Sequence, residues 1–206
     1  MSTTTVNDSG EPSAKAIDKE RRATLAVAAC VGGAGLIAAA VPFATSFAPS
    51  ERARAAGAPV EIDIAGIAPG EMRTAEWRGR PVWILNRTPQ MLESIVRANN
   101  EVADPKSLRT AYPTPAYARN EYRSIKKEML VAVGICTHLG CSPTGPFGPG
   151  TNAMLGTNSG FICPCHGSVF DLAGRVFKNM PAPDNLEIPP YKYLSDTVVL
   201  VGDDKA

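Results

Sequence analysis

Cys136-Thr137-His138-Leu139-Gly140-Cys141 is followed, after 21 residues, by Cys163-Pro164-Cys165-His166-Gly167-Ser168. The two stretches hold both histidines of the chain and four of its five cysteines. Thiolates and imidazoles gathered at this spacing are ligands for a soft or borderline metal. Six such donors exceed the four positions of a tetrahedral set, so two cysteines are left for another task, and a cross-link between the stretches is the economical one. An odd cysteine count also excludes a framework of disulfides alone. The apolar run Met129 to Ile135 leads straight into the first stretch, as a buried strand feeding a loop would.

These residues resemble the two cluster-binding boxes of the Rieske iron-sulfur proteins. Met180-Pro181-Ala182-Pro183-Asp184-Asn185-Leu186, followed by Pro189-Pro190-Tyr191, is similar to the proline-rich loop that shields the cluster in the quinol-oxidising members. With the apolar segment near the N-terminus included, the likeness extends over nearly the whole chain and points to the iron-sulfur subunits of bacterial ubiquinol-cytochrome c reductases. The resemblance implies one 2Fe-2S cluster, with Cys136 and Cys163 on one iron and His138 and His166 on the other. It implies a Cys141–Cys165 disulfide. His166 then accepts a quinol hydroxyl's hydrogen bond at a site shared with a cytochrome b subunit, and Leu139 packs at that contact. The implied partners are cytochrome b, a membrane-bound c-type cytochrome and the quinol, within a dimeric complex. In that setting the chain serves as a subunit of an oxidoreductase and relays single electrons, and the head moves between two docking sites.

Chemistry supports this reading independently. Two neutral imidazoles in place of two thiolates remove negative charge and raise the potential of such a cluster from about −400 mV to roughly −150 to +300 mV. A metal-bound imidazole also acidifies when its metal is oxidised, which couples the electron to a proton. By resemblance Ser168 donates to a bridging sulfide, Pro181 belongs to the shielding loop, and Phe170 stands where many high-potential members carry a tyrosine bonded to a ligand sulfur. One hydrogen bond is then missing, and a lower potential is expected. A structural zinc site is the chemical rival, but it leaves two cysteines unused. The small Rieske subunit of an arsenite-oxidase-type enzyme is the functional rival, since it too can combine an export signal, a disulfide and a non-tyrosine neighbour.

The remainder of the 206 residues gives the setting. With 21 Lys+Arg against 20 Asp+Glu and 6% aromatics, the chain offers neither the basic surface nor the stacking platform of a nucleic-acid binder. Eighteen glycines and eighteen prolines favour a loop-rich β body. Residues 23–47, ATLAVAACVGGAGLIAAAVPFATSF, are uncharged and long enough to span a hydrocarbon core of about 30 Å. Cys30 is a packing residue there, and the glycines and alanines allow close approach of partner helices. Lys15, Lys19, Arg21 and Arg22 before the span, against Arg52 and Arg54 after it, place the N-terminus in the cytoplasm and the head in the periplasm, across a bacterial inner membrane. Arg21-Arg22 resembles a loose twin-arginine export signal. Cleavage near Ala55 is the rival to an uncleaved anchor.

The expected organisation is a tail at 1–22, an anchor at 23–47, a flexible hinge at 48–59 and a cluster domain at 60–206 with loops 136–141, 163–168 and 180–186. The fold class is mostly β, an antiparallel Rieske-type domain with a short helix and loops, plus one transmembrane helix. Val60–Ile64, Met72–Trp77 and Pro81–Leu85 are expected to open the domain as an antiparallel meander. Thr88-Pro89 caps a helix running to about Asn99, with Met91, Leu92, Ile95 and Val96 on its inner face. Residues 100–124 read as an irregular excursion and 142–160 as a surface loop. Tyr191–Leu194 and Thr197–Val201 read as the last strands.

Overall fold

A computed structural model describes residues 14–51 and 57–205. It consists of an N-terminal helical unit and a head. The first helix, α1, spans Ala14–Thr45. Helix therefore begins well before the apolar run. The segment from Ala14 to Glu20, read as unperiodic tail, is built of strong helix formers, and Arg22 Nε meets Asp18 Oδ2 one turn back at 3.2 Å. Asp18–Thr45, 28 residues, is long and apolar enough to cross a membrane, and none of its central window is buried within the chain. Leu25, Val27, Val31, Leu36 and Ile37 are all exposed. Pro42 lies in the last turn and is tolerated there, the chain closing with Ser46 N–H donating to Pro42 O at 3.1 Å. Residues 1–13 of the expected 1–22 tail and residues 52–56 of the expected 48–59 hinge lie outside the described residues.

The head is built from three antiparallel sheets of three strands each. β2 (Met72–Trp77), β3 (Arg80–Asn86) and β4 (Met129–Val133) form the first, with Ile84 opposite Val131 and Thr74 opposite Trp83. All five residues of β4 are buried, as its unbroken apolar run requires. The opening meander is not formed. Only β2 and β3 make the hairpin, whereas β1 (Val60–Asp63) crosses to the C-terminal strands β8 (Tyr191–Tyr193) and β9 (Val198–Val201). The reason is cross-strand pairing: Val60 meets Val201 and Ile62 meets Val199, β-branched pairs that local turn reading does not reveal. A turn in which Asp63 Oδ1 accepts Ala65 N–H at 2.8 Å directs the chain away from β2.

The third sheet is β5 (Thr144–Phe147), β6 (Gly160–Ile162) and β7 (Val169–Asp171); the first cysteine-histidine stretch leads from β4 into β5, and the second connects β6 to β7. The interval 142–160 is thus only partly the surface loop expected: it supplies β5, and Leu155, Ser159 and Gly160 are buried. Strands of three or four residues rich in Gly and Pro are too short to display a period.

α2 (Pro89–Arg97) starts with Thr88 Oγ1 accepting Met91 N–H at 3.3 Å and Pro89 in the first turn, then tightens into a 3₁₀ turn at Ala98–Asn100. Ile95 is fully buried. Val96 is not on the inner face but 45% exposed; at 100° per residue the core-facing row runs 91, 94/95 and 98, so buried Ser94 takes its place and donates to Met91 O at 2.8 Å.

The irregular segment 100–124 is held by buried arginines rather than by a ladder. Arg123 donates to Ser107 Oγ, Thr114 Oγ1 and the carbonyls of Ala173, Gly174 and Leu186 at 2.8–3.2 Å. Arg87 donates to Tyr122 O, Leu172 O and Ser124 Oγ. One guanidinium offers five donors to carbonyls that irregular backbone leaves unpaired. Burial pulls both guanidinium pKa values down to about 10, so these groups are held charged by carbonyl dipoles and by Asp171 against desolvation. Arg175 pairs with Asp171 at 2.7 Å, both fully buried, and reaches Asn99 Oδ1 and Ile95 O. Replacing Arg175 with Met removes the ion-pair partner of the buried Asp171 carboxylate and leaves it the backbone N–H donors at Ala173 and position 175. Denaturant unfolding of the full chain in detergent is expected to show a loss of about 3–5 kcal/mol, partly recovered by adding Asp171→Asn.

Candidate metal centre

The two cysteine-histidine stretches fold as copies of one loop. In the first, Cys136 N–H donates to Cys141 O at 2.8 Å and Gly140 N–H to Cys136 O at 3.1 Å; in the second, Cys163 N–H donates to Ser168 O at 2.8 Å and Gly167 N–H to Cys163 O at 2.9 Å. Each pattern needs left-handed backbone at its fifth residue, Gly140 at φ +84° and Gly167 at +74°, a conformation that a Cβ disfavours. The equivalence puts Cys136 and Cys163 in matching places. It also puts Leu139 opposite His166, and Cys141 opposite Ser168.

Cys136 and Cys163 are free thiols, each 2% exposed, in the core that also contains Phe161 and Phe170. Burial pushes the Cys136 thiol up, as does Cys163, while hydrogen bonds from the His138 N–H and the Ser168 hydroxyl pull it down. A buried thiolate is costly unless a cation shares its charge. The His138 and His166 rings pack edge to face with centroids 4.7 Å apart. His138 Nδ1 is buried and without a partner. Cys141 and Cys165 form a disulfide, and both sulfurs lie within 4.8 Å of Cys163 Sγ. Two buried thiols, two imidazoles packed edge to face and one orphaned ring nitrogen fit a centre with paired sulfur and nitrogen ligands.

Exposure rises outward. His138 is half-buried, His166 is exposed, and Leu139 is 71% exposed. The loop 180–186 closes the inner side. Ala182 N–H donates to Ser168 Oγ at 2.9 Å, leaving the serine proton free for sulfur, and Thr137 Oγ1 donates to Asp184 O at 2.6 Å. Asn185 then ties this loop to Val176 N–H, Asp104 O and Ser107 Oγ. Pro181 itself is exposed, so the contact with Ser168 comes from the neighbouring Ala182 backbone. Phe170 is fully buried in β7, paired with Phe161.

Thr137, Ala182 and Asn185 are structural contributors that sequence reading passed over. Thr137 could have been suspected from its place between Cys136 and His138. Ala182 and Asn185 act through a backbone N–H and a carboxamide across the fold, for which a single sequence carries no signal.

Comparison with known proteins agrees with this geometry. Residues 62–192 match the family described as Rieske [2Fe-2S] domain. The ubiquinol-cytochrome c reductase iron-sulfur subunit of Allochromatium vinosum is 52% identical over 198 residues, covering 94% of this chain and 93% of the relative. The subunit of the same name from Blastochloris viridis is 42% identical over 183 residues, covering 88% and 92%. A solved structure titled Hyperthermophilic respiratory Complex III aligns with a TM-score of 0.44 at 26% identity, covering 85% of this chain and 98% of that one. Zinc is therefore not the resident metal to consider, and the chain belongs to the Rieske [2Fe-2S] family, among the iron-sulfur subunits of bacterial ubiquinol-cytochrome c reductase.

Proposed function

We propose that this chain accepts single electrons from a quinol at a site shared with a cytochrome b subunit and delivers them to a membrane-bound c-type cytochrome. The observation that carries the reading is the gradient across the tip, from two buried thiols through a half-buried His138 to an exposed His166 beside an exposed Leu139. Cys136 and Cys163 hold one iron and His138 and His166 the other. Two imidazole ligands give the bound cluster a one-electron couple at roughly −150 to +300 mV, a range suited to quinol oxidation.

The protein's own residues do the rest. His166, the exposed ligand, accepts the quinol hydroxyl's hydrogen bond and takes up the proton. Leu139 offers the apolar surface on which the quinol's site closes. Ser168, held by Ala182 N–H, directs its hydroxyl toward the sulfurs and favours added negative charge. The Cys141–Cys165 disulfide keeps the two loops together, which suits an oxidising periplasm. α1 anchors the subunit with its N-terminus in the cytoplasm, and the head serves two partners in a dimeric complex. The names of the relatives support the cytochrome bc assignment over the arsenite-oxidase-type rival.

The direct test is single-turnover quinol oxidation in the intact complex. His166→Leu is expected to abolish the reduced-state paramagnetic signal of a histidine-ligated cluster and quinol-driven cytochrome c reduction together; a retained signal would remove His166 from the ligand set. Potentials test the surroundings. At about 1 kcal/mol per hydrogen bond and 59 mV per tenfold for one electron, Ser168→Ala is expected to lower the midpoint by about 40 mV and Phe170→Tyr to raise it by about 40 mV. Redox titration of each variant reads the sign directly.

A further inference from the structure

Three sulfurs meet at the tip although only two of them are bonded. Cys141 Sγ, Cys163 Sγ and Cys165 Sγ all lie within 4.8 Å of one another, and Cys163 is a free thiol. The loop hydrogen bonds hold their backbones in place. Cys163 N–H donates to Ser168 O and Cys163 O accepts Gly167 N–H, while Cys141 O accepts Cys136 N–H across the other loop. A thiol fixed beside a disulfide in this way is an intramolecular reactant at high effective concentration.

Burial decides which sulfur it attacks. Cys163 is 2% exposed and so is shielded from dissolved reagents, whereas the Cys141–Cys165 bond stands next to it. Cys165 is exposed and Cys141 half-buried. A departing thiolate is better hydrated at Cys165, which makes Cys141 the sulfur attacked and Cys165 the leaving group. The step is redox-neutral. The Cys163 thiol gives its proton to water, a Cys163–Cys141 bond forms, the Cys141–Cys165 bond breaks, and Cys165 takes a proton from water. The two loops stay cross-linked, because Cys141 belongs to the first and Cys163 to the second.

We propose that Cys163 is the internal nucleophile of a metal-gated thiol–disulfide exchange. With metal bound, the Cys163 sulfur is engaged and the Cys141–Cys165 bond persists. Once metal is lost, the head converts to a Cys141–Cys163 isomer with a free, exposed Cys165. That isomer lacks one of the two sulfur ligands, so it cannot reload until a reductant reopens the new bond. The inference rests on the assignment of Cys163 as a ligand and adds a reaction which that assignment does not contain.

The test compares the full-length, iron-loaded subunit in detergent with the same protein stripped anaerobically by an iron chelator. Samples are acid-quenched over time, free thiols are alkylated, and linkages are mapped by mass spectrometry. In the loaded protein Cys165 is expected to stay unlabelled. After stripping, Cys165 should gain label as fast as Cys163 loses it, over minutes to hours, with the total of free thiols constant and the rate independent of protein concentration. Cys163→Ser is expected to abolish labelling of Cys165, and Cys136→Ser to retain it. An unchanged Cys141–Cys165 bond after stripping would overturn the proposal. So would a Cys163–Cys165 or Cys136–Cys163 link, a mixture of linkages, or a loaded protein that exchanges within about twofold of the stripped rate. Failure of the ligand assignment shows itself separately, as a paramagnetic spectrum left unaltered by Cys163→Ser.

Discussion

Two thiols buried side by side, Cys136 and Cys163, form the constraint on which the head depends. Burial in a core of aromatic and branched residues pushes the Cys136 thiol up, and Cys163 acts in the same direction. With metal bound, the same burial excludes water and leaves charge to be balanced by a few directed hydrogen bonds. The duplicated loop geometry, the disulfide and the proline-rich segment all serve to hold these two sulfurs together at the edge of the smallest sheet.

That edge is held from behind by an unusual device. Much of the head between α2 and β4 lacks regular structure, and three buried arginines supply the hydrogen bonds a sheet would otherwise supply. Arg123 spans three regions, bonding the excursion at Ser107 and Thr114, the turn after β7 at Ala173 and Gly174, and the end of the shielding loop at Leu186. The loop whose Ala182 N–H bonds Ser168 Oγ is thereby tied, at Leu186, to a residue about sixty positions earlier. Exposed His166, buried Cys136 and Cys163 and this arginine backing together make up the tip of the head.

Much of the site was legible because its chemistry is local. Cysteine, histidine and glycine at fixed offsets within six residues report a loop directly, and the strands flanking it, β2, β3 and β4, show themselves by alternation or by an unbroken apolar run. What escaped was non-local or too short. β1 pairs with β9 through contacts across 140 residues of chain; β5, β6 and β7 are three or four residues long; and Val96 lost its inner place to Ser94 by a rotation of a single residue on a helix whose cap was read correctly. The helical start at Ala14 was hidden because composition alone does not separate a polar helix from a polar tail.

The amino-acid sequence by itself determined the ligand types, their spacing, the apolar span and hence the class of chemistry, since each depends only on residue identity and on separations short enough for the backbone to enforce. Tertiary structure decided which atoms meet. That Cys141 bonds Cys165, and that the Ala182 amide rather than Pro181 touches Ser168, follow from how distant segments pack. Those choices are made by burial and hydrogen-bond satisfaction summed over the whole fold, and no short stretch of chain contains them.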